Sequence, residues 1–175
     1  MNLIWAILSG TPLWVFALFA LLVGLGIAQL RPRTVQMPRI FIVPAVFLAW
    51  GLMALWMRAA VVQSAVPAWL VALPIGCAGG WATTRLDGLV ADRRRGLIYL
   101  PGGWTTLVAS MAVFAAKYVL AVSMVMRPQW RNVLATADMT VSGLSAGYFL
   151  ARLARMLAHY RNAPDSDLAA GAVSP

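Results

Sequence analysis

A chain of 175 residues that is 62% hydrophobic and only 11% charged lacks the polar surface of a water-soluble domain, where about 25% of residues are charged. Its formal net charge of +9 comes almost wholly from arginine: 13 arginines and one lysine make the 14 basic residues, against five aspartates and no glutamate. The arginines sit in short links between apolar runs, not along one polar face, which argues against nucleic-acid binding and fits topology signals and lipid-headgroup contacts.

The composition predicts an all-α polytopic membrane protein. The single cysteine, Cys77, lies in an apolar run. It excludes an intramolecular disulfide and a cysteine-based metal site and reads as a small buried apolar side chain. The opening Met1-Asn-Leu-Ile-Trp-Ala has no positive region, so no cleavable signal peptide is predicted. Insertion would use the first hydrophobic helix.

In chain order, residues 2–9 form a short apolar segment, too short to span. Thr11 is placed as an N-cap with Pro12 at the first helical position, opening a helix over about 12–29, close to the length a bilayer demands. Three arginines and two prolines in Arg31–Arg39 stop it. A second helix covers about 40–57, with Pro44 near its start, and a third covers about 68–84. Pro74, Gly76, Gly79 and Gly80 make the third the most breakable. Broken helices can build transport sites, yet glycine more ordinarily lets neighbours approach.

Residues 85–104 form the one sizeable polar insertion. Leu89-Val-Ala91 and Leu97-Ile-Tyr-Leu100 flank Asp92-Arg-Arg-Arg-Gly96, the apolar–turn–apolar pattern of a small β-hairpin, with an irregular amphipathic loop as the competing reading. Helix four is predicted over 105–126 and helix five over 133–157, joined by the tight turn Arg127–Asn132. Residues 1–161 then make a single membrane domain and 162–175 a disordered tail. His159, the sole histidine, reads as a solvated residue.

Links 31–39 and 85–104 and the C-terminal end hold ten arginines, while links 58–67 and 127–132 hold three. The positive-inside rule places the first group in the cytoplasm. Five helices then put the N-terminus outside and the C-terminus inside, with the hairpin-like loop cytoplasmic. Trp5, Trp14, Trp56, Trp69, Trp81, Trp104 and Trp130 fall near span ends, as an interfacial belt requires.

Two ionisable side chains remain inside the hydrocarbon, Lys117 on helix four and Asp138 on helix five. Charges at that depth are costly, and each is the other's expected partner. Such a pair either fixes helix register or serves as a relay or binding point. Asp138, Ser142, Ser145, Phe149 and Arg152 share one face of helix five at 100° per residue. Ser110 lies seven residues before Lys117, on the same face of helix four, and Tyr118 follows the lysine. These polar residues define a candidate seam, with serines bonding to their own helix carbonyls as the simpler account. Gly143-xxx-Gly147 and Gly76-xxx-Gly80 allow close helix contact within one chain or between copies, so a homo-oligomer or another membrane partner stays open. Arg93, Arg94 and Arg95 in the loop are expected at the headgroup level, attracting anionic lipid. Asp87 and Asp92 read as surface ion-pair partners of nearby arginines.

No Cys/His/carboxylate set, Ser/His/Asp grouping or phosphate loop is present, so no enzyme activity, cofactor or metal site is expected. The order Thr11-Pro-Leu-Trp14, Leu30-Arg-Pro-Arg33, Gly96-Leu-Ile-Tyr-Leu-Pro-Gly102 with Trp104, and Phe114-Ala-Ala-Lys-Tyr118 resembles a family of uncharacterised bacterial inner-membrane proteins, a domain of unknown function. The Pro-Gly-x-Trp stretch is loosely similar to CcdC-like proteins. Where the family pattern has serine before the tryptophan, this chain has Gly103. The resemblance implies a bacterial inner-membrane location and the Lys-Tyr pair in helix four as a family feature. The expected role is a structural or accessory membrane component, with a small transporter or channel subunit using the polar seam as the alternative.

Overall fold

A computed structural model describes residues 13–59 and 63–162. The predicted segment 2–9, the Thr11 cap with Pro12, Trp5 and nearly all of the predicted tail lie outside the described residues. Among the described residues five helices carry the fold: α1 Leu13–Ala28, α2 Ile42–Ala59, α3 Ala65–Thr83, α4 Thr105–Met126 and α5 Arg131–Asn162. The second begins as a 3-10 turn, Met37–Phe41, because Pro38 sits where the orphan N–H of a helix start is dispensable. Among the described residues three helical stretches are long and apolar enough to cross a membrane: Met37–Met57, Ala65–Thr83 and Thr105–Met126.

The organising element is α5, which is both the longest helix and the one with the most mixed composition. Its 32 residues rise roughly 48 Å at 1.5 Å per residue. Its buried residues include Asp138, Ser142 and Ser145 as well as Met139 and Phe149. A helix this polar can be central only if its neighbours cover it, and they do. Stacked rings of Phe47 and Phe149, 4.4 Å between centroids, join α2 to α5 in antiparallel sense. On another side α3 runs parallel to α5. Here the two small-residue motifs meet in one interface: a Cβ on Gly76 would strike the backbone of Leu144, one on Gly80 that of Tyr148, and one on Gly147 that of Leu73. The α3 helix is continuous through Pro74, which lies on its exposed side, so its glycines serve packing and not a break. Cys77 is half-buried against this seam, more open than expected.

Trp69 departs from the interfacial belt. It is 7% exposed, wedged between α5 and α2 beside Gly143 and Gly51, and its indole N–H has no partner among the described residues. Position near a span end did not expose it, because the close α3–α5 approach buries that end. Trp56, Trp81, Trp104 and Trp130 are exposed.

A three-stranded sheet caps one end in the order β1-β3-β2, all antiparallel: β1 Arg33–Gln36, β2 Val90–Asp92 and β3 Leu97–Leu100. The hairpin β2–β3 closes at Arg93–Gly96, with Gly96 at φ 66°, a conformation that favours glycine. The third strand comes from the arginine-rich link, where Arg33 faces Leu100 and Gln36 faces Leu97. That pairing gives the hairpin the extra strand an isolated one needs in water. His159, which reads in sequence as solvated, is half-buried, with Nε2 3.4 Å from the Leu89 carbonyl. Arg93 Nε donates to the Tyr160 carbonyl at 3.1 Å. Links 31–39 and 85–104 and the end of α5 therefore share one end of the bundle.

The glycine seam makes a sharp prediction. Gly76→Ala and Gly147→Ala force backbone apart, an overpacking cost of about 1–3 kcal/mol, and each should lower the thermal midpoint of the detergent-solubilised protein. Gly79 faces open space, so Gly79→Ala should leave the midpoint unchanged or raise it, by up to about 1 kcal/mol of helix propensity. Equal losses at all three positions would show that the seam is not a close contact.

Candidate functional site

Lys117 and Asp138 meet because the α4–α5 turn is short. A 3-10 turn, Pro128–Trp130, closes by a Trp130 N–H to Arg127 carbonyl bond of 3.0 Å, and the two helices leave it antiparallel. Lys117 lies nine residues before Met126, roughly 13 Å along its helix, and Asp138 seven after Arg131, roughly 10 Å. Starting α5 at Arg131 brings the two depths close together, so the lysine needs little of its stem to reach across.

Lys117 Nζ is 2.8 Å from Asp138 Oδ1. It also donates to the Asp138 carbonyl at 3.1 Å and to Ser142 Oγ. Ser142 in turn donates to the Asp138 carbonyl at 2.9 Å. The ammonium thus has three oxygen acceptors on one turn of α5, matching its three protons. With side chains 18% and 9% exposed, a charge left alone here would be costly, and hydrogen-bonded pairing is what makes its burial tolerable.

The remaining seam residues divide. Ser110 donates to the Thr106 carbonyl at 2.6 Å within its own helix and is not drawn to the lysine. Ser145 likewise bonds its own helix, at the Ser142 carbonyl, 3.0 Å away. Tyr118 stacks on Phe114 at 6.4 Å. Arg152 reaches across to Thr105 Oγ1 at 3.3 Å, a second polar tie between α4 and α5. Beside Lys117 lies a cavity of about 50 Å³ between α2, α4 and α5. Val46, Phe47, Trp50, Val113 and Phe114 form most of its wall, so it offers few partners for a chain of waters.

The capped end holds the second concentration of charge. Arg93, Arg94 and Arg95 are exposed at the hairpin turn. Asp92, expected at the surface, is only 3% exposed, and its Oδ1 accepts from the Arg95 N–H at 3.1 Å, fixing that turn. Below the sheet a cavity of about 130 Å³ is lined by Arg31, Arg33, Arg39, Arg85 and Arg152 together with apolar side chains. In sequence the first four read as topology signals and headgroup contacts, with no sign that they share a cavity. The missed signal is Thr34-Val35, two β-branched residues between Pro32 and Pro38, a strand signature that folds the link back over the bundle. Among the described residues no group of His, Cys, Asp and Glu is placed to hold a metal ion.

A helical bundle with three stretches able to cross a membrane, a buried lysine–aspartate pair and a small basic sheet at one end defines the class. Within it, the chain belongs to the family of unknown function DUF6622, whose family model matches residues 1–166. The match agrees with the resemblance to a domain of unknown function and does not extend to CcdC-like proteins. No curated protein and no solved structure matches the chain.

For the pair, Lys117→Met and Asp138→Leu should each lower stability by about 3–5 kcal/mol, and the double replacement should recover most of that loss. Thermal unfolding of the four proteins in one detergent measures the coupling. If the two single losses simply add, the residues are not energetically linked.

Proposed function

We propose that the protein is a five-span component of the bacterial inner membrane, its N-terminus outside and its C-terminus in the cytoplasm, acting as a structural or accessory membrane protein. The observation that carries this reading is the closed state of the Lys117–Asp138 pair. Lys117 is saturated by Asp138 and Ser142, and the neighbouring cavity is walled mostly by apolar side chains. Such a pair braces α4 against α5 and offers a passing ion little purchase.

The span count rests on packing as much as on hydropathy. The α5 helix falls short of an apolar span on composition, yet its polar residues face α2 and α4, which is where intramembrane polar groups belong. The α1 helix packs antiparallel to α4 through Phe19 and Phe114 at 5.5 Å. Alternating directions across five helices, with both basic links at one end, agree with the ten-to-three arginine count and the positive-inside rule.

Reporter fusions after Val62 and after Asp165 should score outside and inside respectively, and a cytoplasmic signal after Val62 would refute the five-span map. The role itself is tested by complementing a deletion strain with the double variant Lys117→Met, Asp138→Leu. A brace can be replaced by an apolar contact, so the strain's phenotype should be restored. A variant that is stable in membranes but fails to complement would instead favour a transporter or channel subunit, in which the charges themselves act.

A further inference from the structure

The five-arginine cavity has a chemistry that topology alone does not require. Its arginines come from separate parts of the chain: Arg31 and Arg33 from the α1–β1 junction, Arg39 from the 3-10 turn, Arg85 from the link after α3, and Arg152 from α5. None of the described carboxylates Asp87, Asp92 and Asp138 lines it. A positive-inside signal needs arginines on one side of a membrane; it does not need them around one cavity.

The convergence is built. Strand β1 is held by β3, placing Arg33 opposite Leu100. The Gly103 N–H donates to the Gln29 carbonyl at 3.0 Å. Gly102 passes so close to the Leu30–Arg31 backbone that no Cβ fits between them. The Pro101-Gly-Gly103 segment thus pins the start of the arginine link beside the start of α4. Arg152 is steadied by Thr105 at 3.3 Å through one nitrogen. That leaves most of its five donors free to serve another acceptor.

From these observations we infer that the cavity binds a phosphate group of net negative charge, one not balanced by a cation on the same headgroup. Like charges crowded around one space repel, and an anion among them relieves that repulsion. A guanidinium is a planar fork that meets phosphate oxygens in pairs, and several forks suit a group with acceptors on every side. The other wall is apolar, formed in part by Val43, Pro44, Leu89, Phe149, Leu153 and Met156. A phosphate carried on an acyl-chain lipid satisfies both walls, whereas a free phosphate satisfies only one. The site is separate from Arg93–Arg95 at the hairpin turn. The lipid source rests on the membrane reading above; the phosphate chemistry does not.

The test uses the purified full-length protein in neutral detergent. Dioleoyl phosphatidylglycerol, dioleoyl phosphatidylcholine and inorganic pyrophosphate are each titrated, with binding read by native mass spectrometry and by thermal shift. Saturable binding of phosphatidylglycerol in preference to phosphatidylcholine is expected. The triple variant Arg33→Gln, Arg39→Gln, Arg85→Gln should weaken it by about fivefold per charge removed, while Arg93→Gln, Arg94→Gln, Arg95→Gln should bind nearly as wild type. Pyrophosphate bound as tightly as phosphatidylglycerol assigns a free phosphate; tighter phosphatidylglycerol assigns a lipid. The same triple made with lysine guards against misfolding: it keeps the charge and loses the fork, and should bind detectably less well. Binding of neither anionic probe, no preference over zwitterionic phosphatidylcholine, equal losses in both glutamine triples, or full affinity in the lysine triple would each overturn the assignment. The five-span map would survive any of them, because it is read by the fusions alone.

Discussion

Everything else in the fold depends on how closely α3 and α5 approach. Gly76, Gly80 and Gly147 let backbone meet backbone along parallel helices, and that contact commits one face of α5 completely. Once that face is taken, the opposite one, carrying Asp138, Ser142, Ser145 and Phe149, must be met by α2 and α4. The stacked Phe47–Phe149 rings and the Lys117–Asp138 pair are the two ways it is met. One is apolar and the other ionic, but both complete the burial of a helix that could not face lipid by itself.

The lysine pair then has a meaning beyond its own energy. A buried ion pair is a weak source of net stability, since desolvation offsets much of the attraction. It is a strong source of discrimination. Rotating α4 by one residue would take Lys117 away from all three oxygens on α5 and leave both charges buried and unmatched. An apolar contact at the same place would tolerate the slip. The pair therefore specifies how α4 sits on α5, and Arg152 with Thr105 repeats the constraint farther along the same helices.

Helices were legible in the sequence where local signals sufficed. Helix four matches its predicted limits, Thr105–Met126, because Pro101-Gly-Gly103 and Pro128 bound an uninterrupted apolar run. The start of α3 and both ends of α5 extend beyond the expected limits, since nothing in their flanks stops a helix that tertiary contacts favour. The hairpin was legible from its alternation of apolar and turn residues. Its third strand left only the short trace Thr34-Val35 between Pro32 and Pro38, because so brief a run forms a strand only when β3 is already beside it. The depth of Trp69 and Asp92 was hidden for the same reason: burial belongs to the neighbour, not to the residue. The glycine pairs were visible as small-residue motifs, but their meeting each other depends on the parallel course of α3 and α5.

Charge is distributed over the molecule by two different rules. In the middle of the bundle a cation and an anion lie together, and the neutral sum is what permits their burial. At the sheet end five arginines line one cavity, and none of the described carboxylates lines it with them. Folding alone would have separated them, because solvent favours long basic side chains spread apart. They are instead carried in on separate parts of the chain: strand β1 with the junction before it, a 3-10 turn, a link and the last helix. The backbone contact at Gly102 is used to hold one of these parts in place. An internal pair explains how the bundle holds its register. The imbalance among the described residues is the part of the fold that an anion in the cavity would relieve.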